Sequence, residues 1–114
     1  MNNQLTLFGY KPPENGAKFS DCRKYRFVLW RIWDYSLETI MFIGLNPSTA
    51  NEVKQDNTIN RIKGLTKDLG YGGFYMLNLF TFITAYPKEL KNCENPTLEA
   101  DKYLLEYSSL WSIF

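Results

Sequence analysis

The hydrophobic residues of the chain fall into short runs separated by polar segments rich in glycine, proline and asparagine, a pattern typical of a small domain of strands and helices. Aromatic and β-branched residues dominate 24–33, which predicts a strand with alternate residues on opposite faces. An apolar run over 39–43 predicts a second strand, and we expect these two strands to form a hairpin. The expected faces of the first strand are Arg26, Val28, Trp30 and Ile32 on one side and Tyr25, Phe27, Leu29, Arg31 and Trp33 on the other.

A helix is predicted over 57–69, because apolar residues recur there at steps of three and four. Asp56 is a favourable N-cap residue, and Gly70 stands where a left-handed C-terminal cap belongs. A nearly continuous apolar run over 74–80 predicts a third strand, covered on both faces. Strand, helix and strand with short connections predict a right-handed crossover and a parallel pair. The apolar stripe expected on the helix is Ile59, Ile62, Leu65 and Leu69.

The two ends of the chain differ in character. Residues 1–20 are polar and contain turn signals, so we expect an irregular arm ahead of one domain over 21–114. Asn95 and Pro96 have the residue types of a helix cap and a first helical position, which predicts a second helix starting there. The segment 110–114 is apolar and strand-like. The residues expected to face the core from the second helix are Leu98, Tyr103, Leu104 and Tyr107.

Composition limits the kinds of protein this chain can be. Its 114 residues suit one domain, and a formal net charge of +1 does not indicate a broadly electropositive nucleic-acid-binding surface. The sequence contains no histidine, the commonest general base and zinc ligand. Two distant cysteines, Cys22 and Cys93, predict reduced thiols in a cytoplasmic protein. No apolar run is long enough for a membrane span. We therefore expect no metal, no cofactor and no membrane partner, and the oligomeric state is left open.

Two asparagines follow predicted neighbouring parallel strands. Ligands bind outside the carboxyl ends of such strands, so we expect Asn46 and Asn78 to meet at one edge of the sheet. An amide side chain offers two donors and an acceptor for a water molecule or the edge of a base. The surrounding candidates for ligand binding are Gly44, Leu45, Pro47, Ser48 and Thr49. The alternative, favoured on physical grounds alone, is ordinary turn chemistry, with Asn46 bonded to nearby backbone.

For each charged candidate residue, a structural role is an alternative to the functional role. Asp56 is expected to cap the helix rather than act as an acid. Arg61 and Lys63 are candidate contacts to a phosphate backbone, with a solvated helix face preferred. The same holds for the basic residues of the first strand, where a solvated strand edge is preferred over phosphate contact; these are Arg23, Lys24, Arg26 and Arg31.

Four stretches resemble one family closely. The residues that carry the resemblance are Gly44–Ala50 (Gly-Leu-Asn-Pro-Ser-Thr-Ala), Asp56–Ile59 with Arg61, Gly70–Gly73 and Asn78–Phe80. They are similar to the DUF1643 family of bacterial and phage proteins, and the similarity covers about 21–107. The family has no established function, so this resemblance implies membership rather than an activity.

A more distant resemblance implies a fold and a site. Gly44–Ser48 resembles the Gly-Ile-Asn-Pro-Gly motif of mismatch-specific enzymes in the uracil-DNA glycosylase superfamily, and Tyr75–Asn78 resembles the Leu-Leu-Leu-Asn strand of classical uracil glycosylases. The resemblance implies a three-layer α/β/α sandwich with a short parallel sheet. It also implies that Asn46 positions the hydrolytic water, that Asn78 reads a flipped base, and that DNA or a nucleotide is the partner.

The sequence departs from that superfamily at one place. The glycosylases carry a later His-Pro-Ser loop that stabilises the departing base, and this chain has no histidine. We expect a C-terminally truncated family member, because the sequence ends at the strand that should precede this segment. Loss of one donor of this kind typically costs ~10²–10³ in rate. The leading hypothesis is a base pocket with weak or no activity. The alternatives are a non-enzymatic binding module of phage or mobile-element origin, and an inactive truncated product.

Overall fold

The computed structural model describes residues 12–108 and 112–113. These residues form a mixed α/β fold around one five-stranded open sheet, with the strand order β1-β2-β4-β3-β5. The elements are β1 (Glu14–Phe19), β2 (Arg26–Ile32), β3 (Thr39–Gly44), α1 (Asn57–Asp68), β4 (Gly73–Asn78), a 3₁₀ helix (Pro87–Asn92), α2 (Ala100–Ser108) and β5 (Ser112–Ile113).

The predicted parallel pair is confirmed, because β3 and β4 run parallel from Thr39 beside Gly73 to Gly44 beside Asn78. The short β5 also lies parallel to β3. The sheet as a whole is mixed rather than parallel, since β2 pairs antiparallel with both β1 and β4.

The predicted hairpin of β2 and β3 is wrong, because β4 lies between them. Two features explain the insertion. β4 is nearly all apolar and takes the central position that covers both of its faces. At its start, the Gly72 carbonyl accepts hydrogen bonds from the backbone N–H groups of Trp33 (2.8 Å) and Asp34 (3.0 Å). A Cβ at Gly72 would collide with the Asp34 carbonyl, so only glycine allows this approach.

The core lies on both faces of the sheet. The helix α1 packs on one face, where Ile59 joins strand residues in a single buried cluster. The helix α2 packs on the other, where Tyr107 joins a second cluster. The strand residues in these clusters are Leu29, Ile40, Phe42, Phe74 and Met76 under α1, and Val28, Met41 and Leu77 under α2.

Local signals at the ends of α1 are confirmed. The Asp56 carboxylate accepts a hydrogen bond from the Ile59 backbone N–H at 2.9 Å, and Gly70 has a φ of 86°. The predicted apolar stripe is wrong in its second half, where Leu65 and Leu69 are 42% and 44% exposed. Thr66 is buried instead, and its hydroxyl donates to the Ile62 carbonyl at 2.6 Å. That hydrogen bond lets a polar residue occupy the core-facing position.

The irregular arm expected over 1–20 is wrong for 14–19, which form β1. Pairing with β2 explains the strand, because the indole of Trp30 lies against the backbone of Gly16, where any Cβ would collide with it. Residues 1–11 of the expected arm lie outside the described residues.

The start of α2 is also corrected, from Pro96 to Ala100. The Pro96 carbonyl instead accepts from the backbone N–H of Thr81 (2.8 Å), and the Leu98 carbonyl accepts from the Thr81 hydroxyl (2.8 Å). These carbonyls are therefore committed to another segment. The predicted terminal strand is present at Ser112–Ile113, and 109–111 and 114 lie outside the described residues.

Within 12–108, no helix combines the length and the apolar character that a bilayer crossing needs. The cytoplasmic location stays a prediction of the sequence.

Candidate functional site

The carboxyl ends of β3 and β4 lie side by side and continue together into their loops. Gly44 is level with Asn78 in the parallel register. Beyond the strands, the Leu79 backbone N–H donates to the Gly44 carbonyl (3.0 Å) and the Phe80 N–H to the Leu45 carbonyl (2.9 Å). The strand-end loops are thereby held together, and Asn46 and Asn78 reach one cavity.

That cavity has a volume of about 40 Å³. A water molecule needs roughly 10–15 Å³ on this measure, so the space holds about three waters. A pyrimidine base is too large for it unless the walls move. The lining residues anticipated from the sequence are Asn46, Pro47, Ser48 and Asn78; the others are Arg26, Asp56, Thr58, Ile59 and Met76.

Asn46 is anchored through its amide nitrogen. Its Nδ2 donates to the Thr84 carbonyl at 2.8 Å and to the Pro47 carbonyl at 3.1 Å. The Thr84 backbone N–H donates back to the Pro47 carbonyl at 3.1 Å, which ties the loop after β3 to the segment after β4. The Oδ1 accepts no hydrogen bond from the described residues. The backbone bonding expected of turn chemistry is present, and one acceptor is left over.

Asn78 is 3% exposed and faces a buried cation. Its Oδ1 accepts a hydrogen bond from Arg26 Nη2 at 3.2 Å. Its Nδ2 lies against Gly44, where a Cβ would come within 2.9 Å of it. Among the described residues the Nδ2 has no acceptor, so Asn78 presents a donor to the cavity.

Arg26 is the main residue that sequence reasoning missed. We expected a solvated strand edge, but Arg26 is only 2% exposed. Its Nη1 donates to the Ala50 carbonyl at 3.2 Å, and its Nε is buried with no partner among the described residues. Burial lowers the pKa of Arg26 to about 10; the charge of Asp56 opposes this shift and that of Arg31 adds to it. The side chain is still a cation at neutral pH.

A β-bulge turns Arg26 toward the cavity. In the β1–β2 pairing, Lys18 lies opposite Val28, but Phe19 lies opposite Arg26, so Phe27 is skipped. Phe27 consequently stacks on Tyr103 of α2, with ring centroids 4.8 Å apart. The predicted alternation is wrong at Arg26 and Phe27, which exchange faces because a bulge re-aims side chains. The sequence carries one signal of this bulge: the three consecutive residues Phe27 to Leu29 are apolar, whereas a strictly alternating strand would have a polar residue among them.

Arg31 was also expected on a solvated edge, and it too is buried, with 1% exposure. Unlike Arg26, Arg31 donates hydrogen bonds from all three of its nitrogens, to one loop and to its own sheet. The Nε donates to Gln55 Oε1 at 2.7 Å and Nη2 to the Asn51 carbonyl at 2.6 Å. Further bonds reach the carbonyls of Trp30 and Lys54. Burial lowers the pKa of Arg31. Its role is to fix the loop 50–56, whose last residue, Asp56, lines the cavity.

The remaining predicted residues lie apart from the cavity. Leu45 is 49% exposed and Thr49 is exposed. Ser48 and Thr49 also line a shallow depression of about 340 Å³, together with Arg23 and Lys54. The predicted phosphate contacts Arg61 (exposed) and Lys63 (half-buried) lie on α1 and line neither space.

The fold and the site define a class: a mixed α/β protein with a buried polar cavity at the carboxyl ends of two parallel strands. Within it, the chain belongs to the DUF1643 family, described as "protein of unknown function", whose model matches residues 26–112. The match begins at Arg26 and contains both asparagines. Comparison with curated proteins gives no match, and comparison with solved structures gives none either.

Proposed function

We propose that this protein binds a nucleotide or nucleic acid at the strand-end cavity, with the architecture of the uracil-DNA glycosylase superfamily. Helices on opposite faces of the sheet and the parallel pair β3–β4 support a three-layer arrangement of that kind. The order of the motif at Asn46, the helix α1 and the strand ending at Asn78 supports it further.

The observation that carries this proposal is the hydrogen bonding of the Asn46 and Asn78 side-chain amides, each of which leaves one polar atom for the cavity. Asn46 has its Nδ2 fixed by two backbone carbonyls and its Oδ1 left over as an acceptor. An acceptor held in place that way can orient a water molecule for attack. Asn78 offers an N–H to the same cavity, which suits a carbonyl oxygen of a base. The two residues thus take the water-positioning and base-reading roles.

The size of the cavity favours a second candidate, binding without catalysis. About 40 Å³ accepts waters but excludes a base. The lining would have to move for a base to enter, and Asp56 lies at the end of the loop 50–56, which Arg31 holds with several hydrogen bonds. Weak or absent base release follows from this geometry.

The experiment is a base-release assay on single- and double-stranded DNA containing uracil or modified bases. We expect slow release from the wild-type protein and none from Asn46→Ala or Asn78→Ala. Asn95→Ala is the matched control, because Asn95 is exposed and does not line the cavity. Release that persists in both cavity variants would contradict the assigned roles.

The binding candidate is tested by fluorescence anisotropy of labelled single-stranded DNA over a range of salt concentrations. Each lost phosphate contact lowers the salt slope by about one. The double substitution Arg23→Gln with Lys54→Gln tests the depression, and Arg61→Gln with Lys63→Gln tests α1. No salt-dependent binding together with no base release would refute both candidates.

A further inference from the structure

Arg26 is the least explained group in the described part of the chain. It is a cation with 2% exposure, and its Nε has no hydrogen-bond partner among the described residues. The two ion pairs found among the described residues, Arg23–Glu52 and Lys102–Glu99, do not involve it. A buried donor without a partner is costly. Arg26 lines the adjoining cavity, so an anion bound there would offset the charge of the guanidinium group.

The surroundings of Arg26 supply further donors. Asn78 Nδ2 borders the same cavity and has no acceptor among the described residues. The N-terminus of the twelve-residue helix α1 forms another wall, through Thr58 and Ile59. Helix N-termini attract negative charge. Asp56 also lines the cavity and carries a negative charge, but its Oδ1 is already engaged by the Ile59 N–H.

The size of the cavity restricts what can enter. Its 40 Å³ corresponds to about three water positions. A carboxylate group has three non-hydrogen atoms and matches that number, and a phosphate group, which has five, can place some of its oxygens in the cavity. A neutral base is too large for the cavity.

We propose that the cavity binds a small oxyanion, with Asn78 Nδ2 as a donor and the charge of Arg26 as its counter-ion. This inference rests on the second candidate of the proposed function, binding without catalysis, because it places the phosphate group of a nucleotide in the cavity and gives Asn78 contact to that group instead of to a base. The shared chemistry is a compact anionic group that accepts hydrogen bonds; free phosphate, a nucleoside monophosphate and a carboxylate are its possible sources.

The test is thermal unfolding of the wild-type protein in increasing inorganic phosphate at constant ionic strength. We expect a rise in Tm of roughly 5 °C at ten times the dissociation constant. Arg26→Met should abolish the rise. Arg61→Met is the matched control, because Arg61 is exposed and does not line the cavity, and it should retain the rise. An equal rise in Arg26→Met and wild type would overturn the proposal, since general salt effects would explain it.

Two additions cover the case in which Arg26→Met does not fold. Thr58→Phe leaves Arg26 intact but narrows the cavity at an exposed lining residue, and it should reduce the phosphate response at least fivefold. Adenosine monophosphate and acetate in place of phosphate identify the source. Stabilisation by free uracil but not by any of these anions overturns this inference and leaves the proposed function standing. Stabilisation by phosphate without DNA binding or base release would support this inference and contradict the proposed function.

Discussion

Arg26 donates a hydrogen bond from Nη2 to the Oδ1 of Asn78 at 3.2 Å, in a place where both side chains are almost fully buried. The two residues come from antiparallel neighbours, β2 and β4, and the bulge in β2 brings them to the same face. The contact fixes the orientation of the Asn78 amide and leaves only its N–H group for the cavity. Asn78 therefore presents a hydrogen-bond donor to the cavity.

A carboxylate in place of this amide would answer the charge of Arg26 directly. Asn78→Asp keeps the size of the side chain and turns a hydrogen bond from a cation to a neutral oxygen into one between two opposite charges, which is worth about 1 kcal/mol more. We expect this gain in the free energy of unfolding at pH 7, measured in urea, together with loss of the phosphate response. Asn95→Asp, at an exposed position, is the control and should change little. Lower stability for Asn78→Asp would show that Arg26 is already compensated.

Gly44 gives Asn78 its space. A Cβ there would lie 2.6 Å from Met76 Cε and 2.9 Å from Asn78 Nδ2. The methionine end can move, but the amide is held by Arg26, so we expect Gly44→Ala to cost about 1–3 kcal/mol of unfolding free energy.

The matched control for that change is Gly64→Ala in the exposed part of α1. A Cβ at Gly64 meets nothing within 4 Å. Alanine should therefore stabilise the helix by roughly 0.5–1 kcal/mol. Opposite signs for the two substitutions in one urea titration series are the expected result, and a neutral Gly44→Ala would mean that Asn78 is free to move.

Features controlled by adjacent residues were predictable from the sequence. The Asp56 cap and the left-handed Gly70 depend on local backbone chemistry alone. The parallel β3–β4 pair follows from a strand-helix-strand order with short connections. The placement of Asn46 and Asn78 at one sheet edge follows from that pair.

Features set by distant partners were not predictable. The bulge that buries Arg26 depends on the register of β1, a segment that reads as irregular. The start of α2 is displaced because Thr81 takes the carbonyls of Pro96 and Leu98. The burial of Arg31 depends on carbonyls of a loop some twenty residues away. In each case a long-range hydrogen bond outweighs a local preference.

Arg31 should protect the loop 50–56, whose last residue lines the cavity, from cleavage by protease. Arg31→Lys keeps the charge but loses the planar set of donors, so we expect a loss of about 2–4 kcal/mol of unfolding free energy. Limited trypsin digestion should cut faster after Lys54, which is exposed within that loop. Cleavage after Lys91, in a segment that Arg31 does not touch, serves as the internal control. Unchanged cleavage after Lys54 would contradict the role of Arg31.

The turn between β2 and β3 gives a prediction about pH. Hydrogen bonds from the Ser36 hydroxyl (2.6 Å) and backbone N–H (2.9 Å) lower the pKa of Asp34. Because the folded value is depressed, this carboxylate stabilises the fold above its ordinary pKa of 3.8, and the contribution is lost as pH falls through the folded value. Ser36→Ala should raise the pKa of Asp34 in an NMR titration. The pKa of Glu52, which a hydrogen bond from Arg23 lowers, should stay unchanged.

The last prediction separates the structural and chemical roles of Asn46. Its Nδ2 donates to the carbonyls of Pro47 and Thr84, so Asn46→Ala should cost about 1–3 kcal/mol, because the partly buried Thr84 carbonyl loses its partner while the Pro47 carbonyl keeps the Thr84 N–H. Asn46→Asp keeps an acceptor for water but sets a carboxylate against those two carbonyls, so it should be less stable than Asn46→Ala. Urea unfolding of the three proteins measures this order, and base release measured below each transition isolates the chemistry. If Asn46→Asp proves as stable as wild type, the amide does not donate to these carbonyls in solution, and its Oδ1 is not held toward the cavity.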